Sequence, residues 1–278
     1  MPDQTPTPDS LQTFHSLAEL HERLSALGAG PAHERRVYRA WMGKIKWEEA
    51  AESRRLRLPK AVAEALPGIR GALRNVAAIR SRHPGADPES ERLLLTLADG
   101  QTIESVLLPR QGVCVSTQMG CAVGCVFCMT GRCGLIRQLS DIEIVAEAAI
   151  ARELRPETKK VVFMGMGEPM GNYKSVLSAV RQISAMPPEG FGISARNITV
   201  STVGVVPGIK KLMAEGIPVR LAVSLHAPND ELRDELVPMN KRFNTTQVLD
   251  AAHDYYLASK RRVSIEYALM RGINDQAE

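Results

Sequence analysis

The hydrophobic and polar positions in the first part of the chain repeat with the period of a helix. Between residues 17 and 66, apolar residues recur at steps of three and four, as in LAELHERLSAL, which predicts amphipathic helices. The first should end at Gly28 and the second should cover 31–42. The third should start after Pro59 and end at Pro67, because glycine and proline interrupt helices.

A different pattern appears near residue 90. Two apolar runs in RLLLTLADGQTIESVLLP flank an Asp-Gly pair, which predicts a β-hairpin. We therefore expect residues 13–110 to form a small, mainly helical domain closed by this hairpin. Residues 1–12 are polar and carry three prolines, and we expect them to be a disordered leader.

From residue 111 onward, short apolar runs alternate with helical segments. The runs are β-branched and apolar on both faces, as in strands of a parallel sheet that helices cover. Residues 111–278 are thus predicted to form an α/β partial barrel, whose chemistry lies at the C-terminal ends of its strands. The predicted strands are VCVST (113–117), VVFMG (161–165), NITVS (197–201), VRLAVSL (219–225) and VSIEYAL (263–269), and the predicted helices cover 140–154, 173–186, 205–215 and 245–259.

The composition is that of an ordinary globular protein, with 44% hydrophobic and 24% charged residues among 278. The sequence has no apolar run of about 18 residues, the minimum for a membrane-spanning helix. The N-terminus also lacks the apolar core of a signal peptide, so we expect a cytoplasmic protein without a membrane partner.

Positive charge is concentrated in residues 35–60, although the net charge of the whole chain is only +4. This segment contains nine basic and three acidic residues, together with both tryptophans, Trp41 and Trp47. Cations interleaved with aromatic rings suit an RNA backbone and its unstacked bases. The same pattern is equally typical of a solvated helical face with two core tryptophans.

All five cysteines lie between residues 114 and 133, a clustering that indicates metal or redox chemistry rather than a disulfide framework. The spacing Cys121-x3-Cys125-x2-Cys128 suits a [4Fe–4S] cluster, because three thiolates bind three irons and leave the fourth open. Two alternatives are structural zinc, with Cys114 or Cys133 as the fourth ligand, and buried cysteines without metal.

Further polar residues follow the predicted strands. Gly167 and Glu168 come after the second strand, where exposed backbone groups and a carboxylate could bind an ammonium group. Ser201 ends the third strand, and Ser224-Leu225-His226 ends the fourth, so their side chains could reach one ligand. Taken alone, Gly167 and Glu168 would more often belong to an ordinary strand-end turn, and His226 would more often be a structural histidine. Asn229 and the charged residues after it predict a helix N-cap.

Three blocks of sequence resemble the RlmN/Cfr family of radical S-adenosylmethionine (SAM) RNA adenosine methyltransferases. They are VVFMGMGEPMGNY, ITVSTVGVVPGI and LAVSLHAPNDELRDELVPMNKRFN, and the resemblance covers about residues 95–275. It implies a (β/α)6-type radical SAM barrel with a [4Fe–4S] cluster on Cys121, Cys125 and Cys128. It also implies SAM bound by Gly167, Glu168, Ser201, Ser224, Leu225 and His226.

The resemblance further implies methylation of adenosine C2 in 23S rRNA, tRNA or both. Glu104 would be the proton acceptor, and Cys114 would resolve a protein–RNA adduct by pairing transiently with a second cysteine in a disulfide. No cysteine follows Cys133, so we expect the methyl-carrying cysteine to lie beyond residue 278 in a longer chain. These 278 residues should then cleave SAM without methylating RNA. The expected electron donor is flavodoxin or ferredoxin, and the expected state is a monomer.

Three other functions stay open at this point. The chain could be a radical SAM enzyme that acts on a substrate other than RNA. It could methylate C8 instead of C2, since the family contains both activities. It could also be a cluster-binding RNA module that has lost catalysis.

Overall fold

Four helices form the first part of the protein, whose computed structural model describes residues 13–52, 57–186 and 190–276. Ser16 is the N-cap of the first helix, and its hydroxyl accepts a bond from the Glu19 amide at 3.1 Å. Its apolar residues Leu17, Leu20 and Leu24 are buried, as the three- and four-residue spacing predicts. The helices are α1 (Leu17–Ala26), α2 (Pro31–Trp41), α3 (Trp47–Glu52) and α4 (Lys60–Val76).

The predicted end of the third helix at Pro67 is wrong. Helix α4 runs through this proline to Val76. Proline removes one backbone hydrogen bond from a helix, but burial of an apolar stripe on both sides of Pro67 outweighs that loss. The stripe contains Val62, Leu66, Ile69, Leu73 and Val76.

The predicted hairpin is confirmed, and it belongs to a larger antiparallel unit. Asp99 shapes its turn by accepting a bond from the Gln101 amide at 3.0 Å. The unit adds one strand before the hairpin and one after it. Its strands are β1 (Ala77–Pro84), β2 (Glu91–Leu97), β3 (Thr102–Leu108) and β4 (Gly112–Cys114).

A second, two-stranded sheet follows, and it carries the three-cysteine motif in its connection. It consists of β5 (Gln118–Gly120) and β6 (Leu135–Gln138), which pair antiparallel. The short helix α5 (Met129–Arg132) lies between them.

The remaining strands and helices alternate as predicted. Strands β4, β7, β8, β9 and β10 are parallel neighbours in that order, so their C-terminal ends share one edge. Strands β1 and β10 form the two outer edges, and the barrel is therefore partial and open. The elements are α6 (Asp141–Leu154), β7 (Lys160–Phe163), α7 (Tyr173–Ser184), β8 (Ile198–Thr202), α8 (Val206–Ala214), β9 (Arg220–Ser224), α9 (Asp230–Leu236), α10 (Thr245–Ser259) and β10 (Val263–Glu266).

One hydrophobic core joins the N-terminal helices to the sheet. It includes Leu20 of α1, Leu73 of α4 and Val113, Phe163 and Leu221 of the parallel strands. Strand β3 pairs with β4, so the main sheet is continuous across residue 110. The predicted leader, residues 1–12, lies outside the described residues. Among the helices described, none has both the length and the hydropathy that crossing a bilayer requires.

Candidate active site at the ends of the parallel strands

The cysteine loop depends on glycines for its tight course. Gly120 has φ +76°, and a Cβ there would collide with the carbonyl oxygen of Gly134. That oxygen accepts a bond from the Cys121 amide at 3.0 Å, which closes the loop. The Cys128 amide donates to the Cys125 carbonyl at 3.0 Å and holds the last two cysteines in one turn.

The loop packs against the segments that follow β9. Cys125 lies in a buried apolar cluster with Val123, Ala227, Leu236 and Val237. The amide of Val126 donates to the Leu236 carbonyl at 3.1 Å, which ties the loop to the end of α9.

Phe127 and His226 connect the loop to the end of β9. The edge-on ring contact has a centroid distance of 4.9 Å and an interplanar angle of 75°. The structure therefore brings the cysteine motif next to Ser224-Leu225-His226. Cys128 and His226 are 98 residues apart in the sequence.

The three motif cysteines act on one another electrostatically. Burial raises the pKa of Cys125 to about 12, and Cys121, Cys128 and Glu168 contribute to the rise. Burial also raises the pKa of Cys121, with Glu168 and Cys128 contributing.

The donor set fits an iron–sulfur cluster by its chemistry. Three thiols on one glycine-rich loop, walled by apolar side chains, match the thiolate ligands and dry surroundings such clusters use. Within the described residues, no set of three or more His, Cys, Asp or Glu side chains is placed to hold a metal ion. The fit therefore rests on the identity and enclosure of the donors.

The segment after β7 lies directly against strand β5. Gly167 has φ +102°, and a Cβ there would come within 2.5 Å of the Gln118 Cβ atom. A Cβ on Gly165 would come within 2.8 Å of the Val115 carbonyl oxygen. The Glu168 amide donates to Gln118 Oε1 at 2.8 Å. Only glycine allows the two segments to approach this closely.

Glu168 links the end of β7 to the end of β8. Its side chain is buried, and it accepts bonds from the Met170 amide at 3.0 Å and the Val203 amide at 2.9 Å. Burial raises its pKa, and these bonds oppose the rise. Thr202 also bonds to it, so the carboxylate is fixed in orientation and keeps one further acceptor position for a ligand.

Ser201, Ser224 and His226 meet at the ends of β8 and β9. The two hydroxyl oxygens lie 3.3 Å apart. His226 has φ +63°, a left-handed conformation that is rare outside glycine. Its Nδ1 accepts a bond from the Ala268 amide at 3.1 Å, so a neutral ring carries its proton on Nε2. Burial and the charge of Arg233 lower the pKa of His226, which favours that neutral ring.

Leu225 extends the pairing between β9 and β10. Its amide donates to the Glu266 carbonyl at 3.0 Å. All six residues expected to bind SAM therefore lie at the C-terminal ends of β7, β8 and β9, on the side where the cysteine loop packs.

Glu104 and Cys114 share one face of the main sheet. Cys114 pairs directly with Val106, and Glu104 is two residues from Val106, so all three side chains point the same way. Glu104 is 43% exposed and lies 3.3 Å from Arg92. Cys114 is buried, and burial raises its pKa to about 12, so it is a neutral thiol.

All five cysteines carry free thiols. The disulfide expected for Cys114 is therefore not a feature of this structure, and no partner thiol is bonded to it.

Two buried charged residues of the site were missed by the sequence analysis. Glu147 of α6 accepts bonds from the Ser116 amide at 3.0 and 3.1 Å, just beyond β4. Arg233 is fully buried beneath β8 and β9. Arg233 stands among charged residues in DELRDEL, so its pattern did not distinguish it from a surface residue. Glu147 stands alone among apolar residues in IVAEAAIA, a signal that could have marked it as buried. Asn229 is the N-cap of α9 as predicted, accepting a bond from the Leu232 amide at 3.0 Å.

The basic segment forms a groove on the helical side of the sheet. Trp41 and Trp47 pack partly against the core, and they line a cavity of about 440 Å³ with Lys44 and Lys46. The guanidinium of Arg70 lies 5.8 Å from the centre of the Trp47 ring. Arg54 and Arg55 lie outside the described residues.

Comparison with known proteins places this arrangement in a family. The profile of the Radical SAM superfamily matches residues 115–278. A protein of Thermobifida fusca named "Probable dual-specificity RNA methyltransferase RlmN" is 46% identical, over 99% of this chain and 77% of its own length. The chain belongs to the radical SAM superfamily and is of the RlmN/Cfr type.

Further relatives agree with this RlmN/Cfr-type assignment. A crystal structure of a radical SAM methyltransferase from Sphaerobacter thermophilus has a TM-score of 0.81 and 38% identity, over 97% of this chain and 79% of that one. A relative of the same RlmN name from Bifidobacterium adolescentis is 70% identical, over 67% of this chain. The chain spans about half of that protein's length, 52%.

Proposed function

We propose that this RlmN/Cfr-type chain is the radical SAM part of an RNA methyltransferase that methylates adenosine C2 in 23S rRNA, tRNA or both. The observation that carries the proposal is the packing of the three-cysteine loop against the strand ends that hold Glu168 and His226. RNA as substrate is supported by the names of the relatives. The choice of C2 rests on resemblance to the family.

Cys121, Cys125 and Cys128 would hold the [4Fe–4S] cluster and leave one iron open to SAM. When bound, the cluster would supply the electron for reductive cleavage of SAM. Because burial raises the pKa values of Cys121 and Cys125, binding iron must displace their protons.

The strand ends would hold SAM through groups that are already oriented. Glu168 presents a fixed carboxylate, which suits the ammonium group of the methionine moiety. Ser201 and Ser224 present two adjacent hydroxyls, and His226 presents an Nε2–H donor. Gly167 lets the segment after β7 pack closely against Gln118, which holds the neighbouring Glu168 in place.

Glu104 and Cys114 would act on the RNA base. Glu104 is the carboxylate that would take the proton lost from the adenosine carbon, and its exposure leaves it accessible. Arg92 pairs with it at 3.3 Å. Cys114 lies on the same sheet face and would serve as a neutral thiol until a base removes its proton.

Anaerobic reconstitution with iron and sulfide tests the cluster. We expect about four irons per chain and 5′-deoxyadenosine formed from SAM in the presence of dithionite. Cys125→Ala should lose both, and Cys133→Ala, which removes an exposed thiol from the same segment, should keep both. A stoichiometric zinc ion with no iron chromophore would refute the proposal.

Filter binding tests the RNA substrate. Affinity for a 23S rRNA fragment or for tRNA should fall steeply as salt is raised, because binding releases counterions from the RNA. Absence of RNA affinity at low salt would point to a different substrate.

We further propose that the chain is a monomer and takes its electron from flavodoxin or ferredoxin.

A further inference from the structure

Arg233 is a buried cation without a function in the proposed reaction. It is the largest of the fully buried side chains, with 0% exposure. Its guanidinium donates to four neutral oxygens: Val203 O at 2.6 Å, Asn240 Oδ1 at 2.7 Å, Leu225 O at 3.0 Å and Ser224 O at 3.3 Å. These bonds satisfy the donors and leave the positive charge without a directly bonded carboxylate.

This charge lies in the wall behind the cysteine loop. Cys125 packs with Leu236 and Val237, which follow Arg233 on α9 and at its end. The Val126 amide is bonded to the Leu236 carbonyl, and the Val237 amide is bonded to the Arg233 carbonyl at 2.8 Å. Burial lowers the pKa of Arg233, and the charges of Asp230, Cys125 and Asp234 oppose that change.

Two carboxylates moderate the charge from the opposite side. Asn240 accepts from Arg233 and donates to Asp234 Oδ1 at 2.7 Å and Asp230 Oδ1 at 3.1 Å. Asn240 thus separates the guanidinium from both carboxylates.

We infer that Arg233 is a positioning residue whose buried positive charge favours the reduced form of the cluster on Cys121, Cys125 and Cys128. The inference rests on the proposed function, which supplies the cluster. A cluster bound by thiolates gains one more negative charge on reduction, and a fixed cation in surroundings of low dielectric constant stabilises that charge. The same guanidinium holds the carbonyls of Ser224 and Leu225, so it also fixes the SAM-facing end of β9.

A redox titration followed by electron paramagnetic resonance tests this role. Arg233→Met should shift the midpoint potential of the cluster to more negative values, and Arg233→Lys, which keeps the charge, should restore most of the shift. Arg152→Met is the matched control. Arg152 is also buried, but it lies in the last turn of α6 and donates to the Phe191 carbonyl. That variant should keep the wild-type potential.

Asp234→Asn gives a second test that does not remove a buried side chain. It keeps an acceptor for Asn240 and deletes a negative charge beside Arg233, so the midpoint potential should move to more positive values. An unchanged potential in Arg233→Met would overturn the inference, and if that variant fails to fold, an unchanged potential in Asp234→Asn would do so. A wild-type chain that binds no cluster would instead refute the proposed function, and this role with it.

Discussion

At the scale of single residues, Gly167 is a position where the site has no room for a side chain. With φ +102° and Gln118 directly opposite, an alanine would be both strained and in collision. We expect Gly167→Ala to lower the free energy of unfolding by about 2 kcal/mol or more, measured by urea denaturation.

Gly68 provides the control for that substitution. It lies inside α4, and a Cβ there would meet no atom within 4 Å. Gly68→Ala should raise the free energy of unfolding by roughly 0.5–1 kcal/mol, because alanine is the better helix former. Equal effects of the two substitutions would contradict the close approach of Gly167 to Gln118.

Glu147 should make stability depend on pH. Burial raises its pKa well above 4.5, so the folded protein keeps this proton to higher pH than the unfolded chain. Its contribution is fully present below the unfolded pKa and is lost as pH rises from about 4.5 to the raised value. Glu147→Gln keeps an acceptor for the Ser116 amide and should lose less stability than wild type between pH 5 and pH 8, measured by urea unfolding.

An exposed glutamate of the same helix serves as the comparison for this titration. Glu153 has a side chain that is 72% exposed, and Glu153→Gln should keep the pH dependence of the wild type. If Glu147→Gln also kept the pH dependence of the wild type, the carboxyl group of Glu147 would not be the source of that dependence.

Neighbouring residues also show what the sequence could and could not predict at this scale. Asn229 could be predicted as an N-cap, because a short polar side chain before a charged first turn is a local signal of a helix start. Arg233 lies four residues later in DELRDEL and looked like another surface charge. Its burial depends on the carbonyls of Val203 and Ser224, which are distant in sequence, so no local pattern could reveal it.

At the scale of elements, α4 shows burial overriding a helix breaker. Pro67 lacks the amide that would bond to the carbonyl four residues earlier, and interior proline costs about 3 kcal/mol. Pro67→Ala should therefore stabilise the protein, by about 1–2 kcal/mol after the greater freedom of the unfolded alanine chain is allowed for. The midpoint of urea unfolding measures this.

Pro59 is the control for Pro67. It stands at the N-cap of α4 with φ −51°, a conformation that proline favours. Pro59→Ala should leave stability unchanged or slightly reduced. If Pro67→Ala destabilised the protein, contacts of the proline ring would have to stabilise the helix.

The elements that the sequence predicted each had a clear local signal. The helices had a helical period, the hairpin had an Asp-Gly turn, and the five parallel strands were short apolar runs between helices. The missed elements did not: β5 has three residues and β6 has four, and their pairing encloses the cysteine loop. Strand β1 is mostly exposed and ends in Pro84, so it lacks the alternation that marks a half-buried strand.

At the scale of the whole molecule, the candidate site lies apart from the groove of the basic segment, which the carboxylates of Glu48, Glu49 and Glu153 also line. The site occupies the C-terminal ends of the parallel strands. The groove, lined by Trp41, Trp47, Lys44 and Lys46, lies against α6 in the helical layer. An RNA that contacts both must therefore extend well beyond the base that is modified.

The two interpretations of this groove predict different salt dependences. If its lysines bind phosphates, the double variant Lys44→Ala/Lys46→Ala should bind RNA more weakly. Its plot of log affinity against log salt should be shallower by about 0.7–0.9 for each phosphate that the variant no longer neutralises. Formation of 5′-deoxyadenosine without RNA should not change, because the groove is remote from the strand ends.

Lys159→Ala/Lys160→Ala, at the start of β7, is the matched control. If the groove variant keeps the slope of wild type, its lysines form a solvated face, and the two tryptophans serve the core alone.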